Sequence, residues 1–197
     1  LRPPLNAILG WADMLRSPEI VDSIRDRAGR SIYDNARQQS RMIDELLDVA
    51  RIVSGKLRLE RTAVDLNEIV RAAVEVVQGA AEAKRVAIVF ESDASSHTIY
   101  GDGARLKEIV WNLLSNAVKF TEEGGRIVVQ IRHVQAAAEI IVTDDGVGIP
   151  AEFLPCVFEP FRQADASSTR RYGGLGLGLS IVKHLAEAHG GTITASS

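Results

Sequence analysis

Residues 108–121 read EIVWNLLSNAVKFT. The run has the periodicity of a helix, yet it carries two asparagines, Asn112 and Asn116, four positions apart. Asparagine is a mediocre helix former because its amide competes for the backbone. The spacing stacks both amides on one face, together with Glu108, Ser115 and Lys119. Leu106, Ile109, Val110, Leu113, Leu114 and Ala117 form the opposite, core-facing stripe. A solvated polar face explains the first stripe as well as a binding site does. Read as a site, one carboxylate, two amide oxygens and one ammonium suit a magnesium–phosphate group.

The chain has 197 residues, enough for one good domain plus an extra element. Hydrophobic residues make up 46% and charged residues 25%, the balance of a soluble globular protein. A net charge of −3 supplies no basic field for nucleic acid, and 5% aromatics argue against base stacking. No apolar run approaches the roughly 20 residues that cross a bilayer. No membrane contact is expected of this segment, and its expected place is the cytoplasm, with membrane anchoring through regions outside it left open. The single cysteine, Cys156, excludes an internal disulfide and reads as a small semi-buried residue. The four histidines, His97, His133, His184 and His189, form no metal-ligand pattern. His184 and His189 fall near a helix end, where a cation is favourable.

Two textures divide the chain at about residue 55. In residues 1–55, PLNAILGWADMLR reads as a helix with Pro3 and Pro4 at its start, where proline is tolerated. Ser17-Pro18 breaks it, and one long helix is expected from Glu19 to about Val53, ended by Gly55. Its apolar stripe is Ile24, Ala28, Ile32, Ile43, Leu46, Leu47 and Ala50, with a polar middle around residues 35–39. Such a hairpin exposes too much apolar surface alone and is expected to pair with a second copy as a four-helix bundle.

Residues 56–197 mix helices and strands. KLRLER (56–61), VAIVFE (86–91), HTIYG (97–101), GRIVVQIRHV (125–134), AEIIVTD (138–144) and TITAS (192–196) read as strands. Asp65 and Asp102 are the expected N-caps of two helices, and a last helix runs up to Gly190. The expected class is α+β: a helical hairpin followed by an α/β sandwich, one mixed sheet with helices on one face.

Two glycine clusters follow the asparagine helix. DDGVGIP (144–150) closes an apolar strand; Gly146 and Gly148 permit close backbone approach, and Asp144 is placed to accept a hydrogen bond from a ligand. An ordinary Asp-Gly turn explains the same residues. YGGLGLGLS (172–180) runs alternating glycines into a helix, so free N–H groups and the positive dipole end face a phosphate. It is neither the GxxxxGK[ST] loop nor the GxGxxG fingerprint.

In this order the three segments resemble the N, G1 and G2 boxes of the sensor histidine kinases of two-component systems, some of which are hybrids. FEPF (158–161) resembles that family's F box. LRPPLNAILGW (1–11) is similar to the segment just after the phospho-acceptor histidine. The resemblance covers essentially the whole chain. It implies a dimerisation hairpin in residues 1–55 and a Bergerat-type ATP-binding domain in residues 56–197, with ATP and Mg²⁺ as ligands. Homodimerisation through the hairpin and docking of a response-regulator receiver domain follow from it. It assigns Asn112 and Asn116 to Mg²⁺ and the phosphates, and Lys119 to phosphate. Asp144 goes to the adenine amino group, in a pocket shaped by Gly146 and Gly148, and Ile149 and Phe158 are further cofactor-binding residues. Leu175 and Leu177 lie with Gly174, Gly176 and Gly178 around the phosphates, and Arg170 or Arg171 reaches the terminal phosphate. Residues 162–172 have the composition of a lid. Glu108, Asn112 and Lys119 are the candidate catalytic residues.

The pattern departs from the family in three places. The acceptor histidine is expected two positions before Leu1, outside this sequence. Pro3 stands where the family carries a polar residue four after that histidine, which predicts weak phosphatase activity. The sequence stops at Ser197 where the family has a further turn and strand. Both ends are therefore expected to be trimmed. Two other readings compete. An ATPase clamp of the gyrase and heat-shock superfamily would use Glu108 to activate water, but lacks the hairpin. A non-catalytic nucleotide-sensing module would bind ATP without turnover.

Overall fold

A computed structural model of the chain describes residues 2–17, 20–93, 97–134, 137–164 and 175–197. It divides into two compact units, Leu1–Gly55 and Lys56–Ser197.

The first unit is two packed helices, α1 (Arg2–Leu15) and α2 (Asp22–Val53). Pro3 and Pro4 lie in α1, and Pro4 is buried. The second helix starts at Asp22 rather than Glu19, which with Pro18 lies outside the described residues. Val21 precedes it without a side-chain cap, and Asp22 in the first turn pairs with Arg25 at 3.0 Å. Gly55, at φ +64°, takes the left-handed conformation that ends the helix. At 32 residues α2 is about 48 Å long. Ala28 and Met42 are its buried apolar residues, and Ile32 and Leu46 are half-buried. Leu5 and Leu9 of α1, and Ile24, Ile43 and Leu47 of α2, stay exposed. The expected stripe is thus only partly covered within one hairpin.

The second unit runs β1 (Thr62–Asp65), α3 (Leu66–Ala83), β2 (Ala87–Ser92), β3 (Thr98–Gly101), α4 (Gly103–Phe120), β4 (Arg126–Val134), β5 (Ala137–Asp144), a 3-10 turn (Leu154–Cys156) and α5 (Gly178–Ala188). Asp65 caps α3 through the Asn67 N–H, and Asp102 caps α4 through the Ala104 and Arg105 N–H groups. Among the described residues the strands form two sheets, not one. β1 pairs antiparallel with β3; β2 pairs parallel with β4, and β4 pairs antiparallel with β5. The alternation of β4 is a true period of two, with Ile127, Val129 and Ile131 buried. α4 is the central helix, packed against α3 and α5. Val70, Ala73 and Val77 of α3, Val110, Leu114 and Ala117 of α4, and Ile181, Val182 and Leu185 of α5 supply the helical half of the core.

Two expected strands do not form. Residues 56–61 alternate, but pairing begins only at Thr62. The Glu60 N–H donates to the Asp102 carboxylate at 3.0 Å, and the Arg61 guanidinium donates to the Ala188 carbonyl at 2.6 Å. Side chains and helix ends, not a neighbouring strand, hold this segment. Residues 192–196 also have no strand partner among the described residues. Cys156 is a half-buried turn residue whose thiol donates to the Phe153 carbonyl at 3.3 Å. Among the described residues no helix is long and apolar enough to cross a membrane.

Candidate nucleotide site

The polar face of α4 is half in the core. Asn112 is 7% exposed, and its Nδ2 donates to the Glu108 carbonyl at 3.1 Å. That bond fixes the amide and leaves Oδ1 pointing away from its own helix. What Oδ1 meets is the first residue of α5: a Cβ added at Gly178 would lie 2.9 Å from it. The asparagine helix and the second glycine cluster, 66 positions apart in sequence, are therefore in contact through an amide oxygen and a missing side chain. Asn116, one turn on, is half-buried and its amide has no hydrogen-bond partner among the described residues. Lys119 is half-buried, with its Nζ 4.7 Å from the Phe120 ring centroid. Glu108 is in an ion pair with Arg105 at 2.7 Å.

The first glycine cluster rides on the last turn of α4. The Val147 N–H donates to the Phe120 carbonyl at 3.3 Å, and a Cβ at Gly146 would lie 2.5 Å from that same oxygen. Glycine is required there by close approach of two backbones. Asp144 is exposed at the end of β5, and its Oδ1 accepts the Gly146 N–H at 3.0 Å. This is the local Asp-Gly turn, and it uses one carboxylate oxygen only. Gly148 has φ +71°, and the next N–H, of Ile149, donates to Ser197 Oγ at 2.8 Å.

The second cluster is anchored by the segment 158–162. The Phe161 N–H donates to the Gly176 carbonyl at 3.0 Å. Gly176 has φ +70°, and a Cβ there would lie 2.6 Å from the Arg162 carbonyl oxygen. Phe158 and Leu175 are half-buried, whereas Leu177 is wholly buried. Leu177 is thus the core anchor of the loop, and its side chain does not line an open surface. α5 starts at Gly178 without a side-chain cap, and Ser180 Oγ bonds back to the Leu177 carbonyl at 2.8 Å. Its first N–H groups therefore have no capping side chain. Arg170, Arg171, Gly174 and most of the lid segment lie outside the described residues.

One sequence reading changes here. His189 follows α5, but it acts through hydrogen bonds and not as a cation at a helix end. Its Nε2 accepts the Asp102 N–H at 3.1 Å, so Nδ1 carries the proton it shares with the Leu185 carbonyl at 2.7 Å. The end of α5 thereby holds the start of α4.

The profile described as the His Kinase A (phospho-acceptor) domain matches residues 1–55, and that of the histidine kinase-, DNA gyrase B- and HSP90-like ATPase matches residues 101–197. The structure of the mycobacterial sensor histidine kinase MprB is 30% identical over 66% of this chain and 80% of that one, with a TM-score of 0.57. This chain belongs to the sensor histidine kinases. It carries the phospho-acceptor domain of that family, followed by its ATP-binding domain. The full-length structure of ShkA in complex with AMPPNP is 29% identical, with a TM-score of 0.74 over 96% of this sensor kinase and 39% of ShkA. Hybrid signal transduction histidine kinase D of Dictyostelium discoideum is 34% identical over 100% of the chain and 16% of its own length. The chain spans about a tenth to a third of the curated relatives it matches.

Proposed function

We propose that this sensor histidine kinase segment binds ATP with Mg²⁺ in residues 56–197 and directs the γ-phosphoryl group to a histidine, from which it passes to an aspartate of a response-regulator receiver domain. The observation that carries the reading is the contact between Asn112 Oδ1 and the glycine that opens α5. An amide oxygen aimed at a helix N-terminus brings a metal-type ligand beside a phosphate-type cradle. Asn116 adds a second neutral oxygen one turn away. Two amides with phosphate oxygens and water suit Mg²⁺, so the residues present fit the group. Mg²⁺·ATP, when bound, supplies an electrophilic phosphorus with part of its charge neutralised.

The chain's own residues position the reactants. Asn112 and Asn116 hold the metal–phosphate end, Lys119 acts as a point charge on phosphate, and the α5 N–H groups orient it. Asp144 uses its second oxygen to accept from the adenine amino group, with Gly146, Gly148, Ile149 and Phe158 about the base. Glu108 is placed to take a proton from the attacking group once it leaves Arg105. No histidine lies in residues 1–55, so the acceptor is assigned to a histidine outside this sequence. The family's hairpin favours phosphotransfer over the clamp ATPase.

The test is titration calorimetry with paired ligands. Asn116→Ala should weaken Mg·ATP binding by about tenfold or more and leave adenosine unchanged. Equal losses for both ligands would remove Asn116 from the metal–phosphate end. Asp144→Asn should erode the preference for ATP over GTP, and an unchanged preference would remove Asp144 from the base pocket.

The uncovered residues Leu5, Leu9, Ile43 and Leu47 support a homodimer through a four-helix bundle. Leu47→Glu should convert it to monomer, because the seam would bury an unpaired charge. Light scattering that reports the same mass for parent and variant would defeat this assignment.

A further inference from the structure

Lys84 ends α3, which packs against α4. Its ammonium donates to three carbonyl oxygens at the end of α4: Val118 at 2.8 Å, Lys119 at 2.9 Å and Thr121 at 2.5 Å. The last carbonyls of a helix have no partner within it, and they carry the negative end of the dipole. An ammonium has three donors and no acceptor, so one side chain satisfies three such oxygens. The backbone of the same residue joins in. The Gly124 N–H donates to the Lys84 carbonyl at 3.2 Å, so α3 grips residues 118–124 from both its side chain and its main chain.

This end of α4 does more than terminate a helix. Asn116 and Lys119 project from its last turns. Between the carbonyls that Lys84 holds lies that of Phe120, which accepts the Val147 N–H of the first glycine loop. Gly146 packs on that same carbonyl, at a spacing no Cβ could enter. A shift of the last turn would therefore move the lysine, the second asparagine and the glycine loop together.

We infer that Lys84 is a positioning residue for the nucleotide site: its ammonium fixes the last turn of α4, and through it Lys119, Asn116 and the Gly146 loop, without touching nucleotide. The part concerning nucleotide rests on the function proposed above. The part concerning α4 does not.

Lys84→Met keeps the length of the side chain and removes the charge and donors, and Lys84→Arg keeps a cation. The full chain is compared by titration with Mg·ATP and, without nucleotide, by amide hydrogen exchange. Lys84→Met should weaken Mg·ATP by about tenfold or more, with Lys84→Arg recovering most of the loss. Exchange at the Thr121 and Val147 amides should speed by a similar factor, while the β4 amides of Ile127 and Val129 keep the parent rate. Arg85→Ser removes only the exposed pair with Glu123 at the same turn and should change neither readout. Unchanged exchange at Thr121 and Val147 overturns the inference. So does uniform acceleration across the unit, which would mean a loss of global stability only. If Lys84→Met does not fold, Lys84→Gln carries the same comparison with one donor group retained. A parent chain that binds no Mg·ATP would defeat the proposed function, while the exchange pattern would still decide whether Lys84 holds α4.

Discussion

Gly146→Ala is expected to abolish high-affinity nucleotide binding while the rest of the second unit stays folded. The added Cβ would sit 2.5 Å from the Phe120 carbonyl oxygen, 2.9 Å from its carbon and 2.7 Å from Asp144 Oδ1. Two of these atoms are main chain at the end of α4 and cannot rotate away. Overpacking of this kind costs about 1–3 kcal/mol even where side chains can yield. The cheapest relief is for the loop to lift from α4, which breaks the Val147 N–H bond to Phe120 and turns Asp144 out of register with β4. The loop is exposed, so lifting it leaves the core residues of β4 and α4 in place. A displacement of about 1 Å at a binding group costs on the order of 100-fold. Calorimetry should show that loss for Mg·ATP, with the far-ultraviolet circular dichroism unchanged. Parent-like affinity in the variant would mean that the glycine loop does not line the site. Gly148→Ala offers a milder comparison: its strain comes from φ +71° and its nearest neighbour is the mobile end of the Ser197 side chain.

What the sequence made legible was local. Two asparagines four apart must share a helix face whatever surrounds them, and alternating glycines before a helix must leave N–H groups open. The caps Asp65 and Asp102 were readable for the same reason: a carboxylate one residue before a periodic run has few other uses. The contact of Asn112 with Gly178 was not readable from spacing, because it joins elements 66 positions apart. The resemblance in box order implied only that both segments serve the phosphates. The strand expected over residues 56–61 failed because alternation is necessary for a strand but not sufficient. Its N–H groups needed a partner strand, and Glu60 found the Asp102 carboxylate instead. The single mixed sheet failed likewise, since strand order is a property of pairing. Lys84 and His189 gave no sequence signal of their role. Each works across tertiary space on the ends of α4, and a lone lysine or histidine at a helix end reads as a dipole partner of its own helix.

Asp102→Ala is expected to be the most destabilising single change outside the apolar core. The carboxylate is buried and accepts three main-chain bonds: Ala104 and Arg105 at 3.1 Å each on Oδ1, and Glu60 at 3.0 Å on Oδ2. Loss of an N-cap costs about 0.5–2 kcal/mol. Leaving a further N–H, that of Glu60, without an acceptor costs about 1–3 kcal/mol. Together these predict a loss of about 1.5–5 kcal/mol in denaturant titration. A loss within about 0.5 kcal/mol would show that water replaces the carboxylate freely. Acid should act on the same residue. Burial alone would raise the Asp102 carboxyl. The hydrogen bonds from Glu60, Arg105 and Ala104, with the Arg105 charge, outweigh it and hold the group below the usual carboxylate range. A carboxyl held lower in the folded chain than in the unfolded one binds protons more readily when unfolded. Its stabilisation is therefore complete above the unfolded value, about 3.9, and is lost as pH falls below it toward the folded value. Asp102→Asn removes the titration while leaving an amide oxygen as a cap for α4. The variant should start less stable at neutral pH, because its Nδ2 cannot accept from Glu60, yet lose less stability between pH 5 and the acid limit. Parallel acid profiles for parent and variant would assign the acid response to other carboxylates. Since Asp102 also gives its own N–H to His189, failure of this cap would loosen α4 from α5 as well as from residue 60, and the Asn112–Gly178 contact lies between those same two helices. A drop in nucleotide affinity that tracks the loss of the cap is therefore expected across the Asp102 variants.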